Sequence, residues 1–273
     1  MTSKKIRLDK YYTSEEIAEH CFKKTLKIIG EENITEFIES SAGNGVFLDM
    51  MEKYTPNISY KAYDIEPDDD RIIQQDYLEL DMEYKEGRVC GFNFPFGNRN
   101  VLLWKFYRKS ITHSEYIVSI LPISQFNNDQ QLYEFDLIYS EDLGKQLYSG
   151  KLIHCSFNIY KKPINGINIK KNNYKLKDVT IKENRQARNQ YIPSTYKYDI
   201  GICVWGDVGK ELEYERQYNQ EAYIKINNED IKEECITLIR NANWREIYPM
   251  STSPTLKQWQ IYKYLKEQIP QLE

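Results

Sequence analysis

Four turns carry the residues of this chain whose types and spacing could do chemistry. The segment Phe37-Ile-Glu-Ser-Ser-Ala-Gly-Asn-Gly45 runs from an apolar stretch into small residues, and a helical pattern follows. Small residues there let the backbone approach a ligand at a helix N-terminus. Asp64 lies 19 residues after Gly45, at the end of the next apolar stretch. Nucleoside-binding α/β folds place a carboxylate on ribose hydroxyls at that point. Asp76 ends a third stretch and Asn93 a fourth. Turns at successive strand C-termini share one edge of a sheet, so Gly43, Gly45, Asp64, Asp76 and Asn93 are expected around one crevice. Metal chemistry is not expected. The five cysteines (21, 90, 155, 203 and 235) form no CxxC pair, and His20, His113 and His154 show no ligand spacing.

These residues need elements to hold them. Thr13 reads as the N-cap of a first helix, with Glu16 completing a capping box and Gly30 ending it. A strand over 35–39 leads through the glycine loop into a helix that buries Val46, Phe47, Met50 and Met51. Strands over 58–64, 72–73 and 88–92 follow, the last stopping at Pro95. A helix over 101–111 precedes an apolar strand over 116–121. Segments 135–139 and 152–160 then suit an antiparallel hairpin. Alternating strands and helices predict an α/β fold, a doubly wound, mostly parallel sheet with a terminal antiparallel hairpin. Residues 161–177, rich in Asn and Lys, read as a linker. Strands over 199–205 and 222–226 and helices over 230–240 and 256–269 predict a smaller α+β C-terminal domain. The expected domains are 1–162 and 163–273.

Composition narrows the partners. The chain has 273 residues, 41% apolar and 29% charged, and no run near the roughly 18 apolar residues of a membrane span. Residues 1–10 are polar and read as a loose arm, with no signal pattern, so a cytoplasmic protein with reduced thiols is expected. Net charge is −4, yet between Lys145 and Lys197 there are 12 Lys and Arg against 2 Asp and Glu. That asymmetry predicts a nucleic-acid-facing segment on an acidic body.

The turn Asn93-Phe94-Pro95-Phe96 resembles the catalytic turn of class I S-adenosylmethionine-dependent methyltransferases that modify exocyclic amino groups, in particular the N6-adenine DNA methyltransferases. The resemblance covers residues 11–162. It includes Tyr11-Tyr12-Thr13, similar to an element that closes over the methionine end of the cofactor. It also includes the loop Glu39-Ser40-Ser41-Ala42-Gly43-Asn44-Gly45, then Tyr63-Asp64-Ile65-Glu66-Pro67, Gln75-Asp76-Tyr77-Leu78 and Ile120-Leu121-Pro122. Phe157-Asn-Ile-Tyr160 resembles the late strand that offers an aromatic ring to the target base. The order of these segments is similar to the gamma arrangement. The resemblance implies a Rossmann-like methyltransferase fold and S-adenosyl-L-methionine as cofactor. Cofactor contacts would fall to Tyr12, Thr13, Glu39, Ser41, Ala42, Gly43, Gly45, Asp64, Ile65, Asp76, Tyr77 and Asn93. Catalysis would fall to Asn93, Phe94, Pro95 and Phe96.

Two residues depart from the family pattern. Ser40 stands where the cofactor loop usually has proline, and Phe94 where the catalytic turn usually has its first proline. An adenine amino nitrogen is a poor nucleophile because its lone pair is delocalised into the ring. Accepting one amino hydrogen on the Asn93 side chain and one on the carbonyl of residue 94 returns density to nitrogen. Phe94 still supplies that carbonyl but leaves Asn93 freer in φ/ψ. Residues 163–273 would grip DNA through Lys170, Lys171, Lys175, Lys177, Lys182, Arg185 and Arg188, with Phe157 stacking on the flipped base. A region of that length suits a short target or help from a protein partner. Methylation of RNA adenines or of a protein glutamine, and a non-catalytic nucleic-acid-binding subunit, are the alternatives.

Overall fold

The computed structural model describes residues 12–148, 151–170, 175–193, 195–250 and 254–273. The arm over 1–10, Tyr11 and Lys171 lie outside the described residues. Two compact units divide the chain, Met1–Lys170 and Lys171–Glu273, where the sequence suggested 162/163. Backbone and side chain of Asn168 bond to Glu134 O and Asp136 Oδ1, at 2.9 and 2.8 Å, which ties the end of the polar stretch to the first unit.

In the first unit, helix α1 (Glu15–Ile29) starts one residue later than expected. Ser14, not Thr13, is the N-cap, its Oγ accepting from Ile17 N, and Gly30 at φ 84° ends the helix. Strand β1 (Glu36–Glu39) is buried along its whole length. Helix α2 (Val46–Tyr54) buries Phe47, Leu48, Met50 and Met51. Strands β2 (Ser59–Asp64), β3 (Ile73–Gln74) and β4 (Lys85–Phe92) follow, then helix α3 (Val101–Ser110) and strand β5 (Ser114–Pro122). Strands β6 (Asp136–Tyr148) and β7 (Lys151–Lys161) form the hairpin.

The seven strands lie in the order β3-β2-β1-β4-β5-β7-β6. β1 to β5 run parallel, while β7 is antiparallel to β5 and to β6. This is the doubly wound sheet with a terminal hairpin that the sequence predicted. One face packs Phe22, Phe37, Phe47 and Phe92 with α1 and α2, and the other packs Ile38, Phe94, Leu103 and Phe106 with α3. The strand order reverses between β1 and β4, which opens a crevice at their C-terminal ends. Register aligns that edge: Glu39 stands opposite Ala62 on β2 and Gly91 on β4. Asp64 and Asn93 are each two residues beyond those partners, on either side of the glycine loop.

The second unit holds an antiparallel sheet of β8 (Val179–Arg185), β9 (Ile200–Cys203) and β10 (Gln220–Ile226) in the order β8-β10-β9. Helices α4 (Lys232–Asn241), α5 (Trp244–Ile247) and α6 (Gln258–Gln268) accompany it. Ile181, Ile202, Ile224, Ile239, Ile261 and Leu265 share its core. β8 is absent from the sequence reading because its charged residues hide a short alternation. Val179 and Ile181 are buried, whereas Lys182 is exposed.

Candidate active site

The glycine loop is shaped by its own backbone. Gly43 has φ 55°, which favours glycine, and a Cβ there would lie 3.2 Å from the Tyr12 ring and press it off the loop. Asp68 N donates to Gly43 O at 2.9 Å, and the Tyr12 hydroxyl donates to the Asp68 carboxylate. Gly45, at φ 78°, caps α2. Asp64 organises the loop from the next strand: Oδ2 accepts from Gly43 N and Oδ1 from Glu66 N, both at 2.9 Å.

Glu39, at the end of β1, is 1% exposed. Oε1 accepts from Ser41 N at 3.3 Å, while Oε2 and the nearby Ser40 Oγ have no hydrogen-bond partner among the described residues. Burial pushes the Glu39 carboxyl well above the usual carboxylate range, and the Asp64 charge adds to it.

The turn after β4 is held on three sides. Ser41 Oγ donates to the Asn93 carbonyl at 2.8 Å, and Asn93 Nδ2 donates to Thr13 Oγ1 at 3.1 Å. Relieved of capping α1, Thr13 instead fixes the Asn93 amide, and an amide whose NH2 bonds to a hydroxyl presents its oxygen as an acceptor. Phe94 N donates to Ser119 Oγ at 3.3 Å, and its ring packs on Phe106 at 5.9 Å. Phe94 is 2% exposed, so burial of its ring supplies the rigidity that proline would otherwise give. Gly91 makes room for it. At φ 125°, a Cβ on Gly91 would meet Val118 O at 2.2 Å and the Phe94 ring at 3.1 Å. Phe92, a non-glycine residue at φ 87°, stores backbone strain directly before Asn93.

One cavity gathers these residues. Tyr12, Ser41, Gly43, Asp64, Ile65, Asp76, Tyr77, Asn93, Phe94, Pro95 and Phe96 line it. Thr13, Glu39, Ala42 and Gly45 support that lining from behind through the bonds above and through Ala42, whose N donates to Tyr63 O at 3.0 Å and whose O accepts from Gly45 N at 2.9 Å. Asp76 caps the turn that follows it, accepting from Leu78 N at 2.9 Å. Tyr77 stacks on Phe106, and its hydroxyl meets His113 Nε2 at 2.7 Å, Ser110 Oγ at 2.8 Å and Cys90 Sγ at 3.2 Å. Burial, aided by Arg88 and Lys109, pushes His113 down to about 4.

Phe157 is not brought to the cavity. It is fully buried in the core with Phe22, Phe37 and Phe92, because an inward position on β7 faces that packing. Lys182, Arg185 and Arg188 belong to the second unit. Arg185 Nε donates to Glu183 at 2.6 Å, which offsets its charge. Leu102, Phe106 and Tyr148 also line the cavity and were not foreseen. The i, i+4 spacing of Leu102 and Phe106 on α3 was a usable signal, whereas Tyr148 at a hairpin end had none.

No family model matches the chain, and no curated protein matches it in sequence. Among solved structures, it is similar to a proposed RNA methyltransferase from Pyrococcus horikoshii at 16% identity and TM-score 0.45, covering 60% of this chain and 91% of that one. A proposed class I S-adenosylmethionine-dependent methyltransferase from Listeria monocytogenes matches at 13% identity and TM-score 0.45, covering 62% and 66%. A type I restriction-modification methyltransferase subunit from Streptococcus thermophilus matches at 12% identity and TM-score 0.42, covering 96% and 57%. At such identities the chemistry has to be read from the chain's own residues.

Proposed function

We propose that the chain is an S-adenosylmethionine-dependent methyltransferase acting on the exocyclic amino group of adenine in DNA. The observation that carries this reading is the Asn93–Phe96 turn lining the same cavity as Gly43, Asp64 and Asp76, with the Asn93 amide held by Thr13. The residues fit the cofactor. Glu39 Oε2 and Ser40 Oγ are buried polar atoms without partners among the described residues, and Gly43 leaves a cradle that a Cβ would fill. Tyr12, Glu39, Ser41 and Gly43 would hold the methionine end, Asp64 and Ile65 the ribose, and Asp76 and Tyr77 the adenine. When bound, the sulfonium supplies an activated methyl group.

The chain's residues then act on the target nitrogen. Asn93 Oδ1 and the Phe94 carbonyl accept the two amino hydrogens and draw the nitrogen lone pair out of the ring, chiefly in the transition state. Pro95 sets the turn, and the Phe96 ring stacks on the base. The pocket is closed to a base still inside a duplex, so the adenine must be flipped. Incubation with labelled S-adenosylmethionine and separate DNA, RNA and protein, followed by nucleoside and amino-acid analysis, tests the reading. Labelled N6-methyldeoxyadenosine is the expected product, lost in Asn93→Ala. Label confined to RNA or to glutamine, or none at all, would overturn it.

A further inference from the structure

In the second unit, β8 ends in a tight loop whose exposed side chains are those that read base edges. Arg185 N donates to Gln190 O at 2.8 Å and Gln190 N to Arg185 O at 3.2 Å, a single bridge that closes the loop over 186–189. Asn189 turns it at φ 50°, its N bonding to Gln186 O at 2.9 Å. Arg188, Asn189 and Gln190 are exposed, and their side chains hydrogen-bond to none of the described residues.

A buried polar network fixes this loop and its neighbour. Asn184 is 2% exposed, and Glu221 and Tyr223 are fully buried. Asn184 Oδ1 accepts from Ile192 N at 2.7 Å, and its Nδ2 donates to Tyr223 Oη at 3.0 Å. Tyr223 Oη donates to Glu221 Oε2 at 2.5 Å. Glu221 in turn accepts from Arg216 N at 3.1 Å and Tyr218 N at 2.7 Å. Across the join, the Arg216 guanidinium lies 4.9 Å from the centre of the Tyr191 ring. Burying a carboxylate to hold two exposed loops costs stability, which makes sense where loop geometry matters.

We propose that the loop over 186–190 is the base-reading element for duplex DNA, with Arg188 and Gln190 entering the major groove. This rests on the reading of the first unit as a DNA adenine methyltransferase. Arg pairs bidentately with guanine O6 and N7, and Gln or Asn with adenine N6 and N7, and the B-form major groove, about 12 Å wide, leaves room for a tight loop. The A-form major groove of RNA is too narrow for such readout, which favours DNA. Lys182, exposed and 4.2 Å from the Tyr196 ring centre, supplies positive charge beside the loop and serves as the phosphate contact. Glu213 and Glu215 closely precede Arg216 in the sequence, so phosphate contact is not assigned to that loop.

The test maps N6-methyladenine at base resolution on plasmid DNA treated with the full chain, and measures duplex affinity across salt concentrations. Wild type should mark a short defined sequence. Arg188→Ala and Gln190→Ala should each relax preference at one base pair by about tenfold, with the salt slope kept. Lys182→Ala should keep the sequence and flatten the slope by about one. DNA methylation with the same preference in both loop variants would overturn the assignment alone. A uniform loss with a flattened slope in Arg188→Ala would overturn it as well, making Arg188 a phosphate contact. Methylation of RNA or protein but not of DNA would overturn the functional reading, and this one with it.

Discussion

Thr13→Val separates the two roles that a threonine before a helix can have. Thr13 is 6% exposed and its hydroxyl accepts from Asn93 Nδ2 at 3.1 Å, while Ser14 caps α1. Valine keeps the shape and removes the acceptor of the Asn93 amide. Losing one such hydrogen bond costs about 0.5–1.5 kcal/mol. If the amide rotates to escape, its oxygen no longer meets the amino group, and that cost appears in the barrier. The turnover number should then fall by about 2- to 13-fold. Cofactor affinity should stay within about threefold, and Thr13→Ser should restore turnover. Ser14→Ala should instead lower stability by about 1 kcal/mol and keep turnover. Single-turnover methyl transfer is the assay, run as a double-mutant cycle with Asn93→Ala. Where Thr13 acts through Asn93, the two penalties should not add. Wild-type turnover in Thr13→Val, or additive penalties, would refute the positioning role.

Other outcomes follow from the same geometry. Asp64→Ala removes the acceptor for Gly43 N and Glu66 N and the carboxylate facing the cavity. Calorimetry should show cofactor affinity at least about tenfold weaker. Gly91→Ala sets a Cβ against Val118 O and the Phe94 ring, so denaturant melts should show a loss of about 2–5 kcal/mol. His113 is held near 4, whereas an unfolded histidine titrates near 6.5, so the unfolded chain binds the proton first as pH falls. The imidazole's contribution is therefore complete above about pH 6.5 and is lost toward pH 4. Urea titrations should show about 2 kcal/mol less stability at pH 5 than at pH 7 from this group, a difference that His113→Gln removes.

Much of the first unit could be read from the chain because its signals are local. The apolar stretches ending at Glu39, Asp64 and Phe92, each followed by a turn of special residues, set the order of strands, and a parallel sheet then brings the turns to one edge. Gly43, Asp64, Asp76 and Asn93 were legible for that reason. Residues whose role depends on partners far along the chain were not. Thr13 looked like a cap because capping is a local pattern, and only folding brings Asn93, 80 residues later, to its hydroxyl. Phe157 looked like a base-stacking ring because an aromatic in a strand has two faces to choose from. Packing against Phe22, Phe37 and Phe92 decided that it faces the core. Phe94 read as a loss of rigidity because a missing proline is visible in sequence, whereas the Phe106 ring, the Ser119 hydroxyl and the space left by Gly91 are not. In the second unit a charge run concealed β8, and the pairing of Arg185 with Glu183 emerged only once the strand set these two alternate residues on one face. Sequence thus determined which turns could do chemistry and in what order they come. Tertiary structure decided which side chains reach the cavity, because burial and hydrogen bonding are properties of neighbours in space.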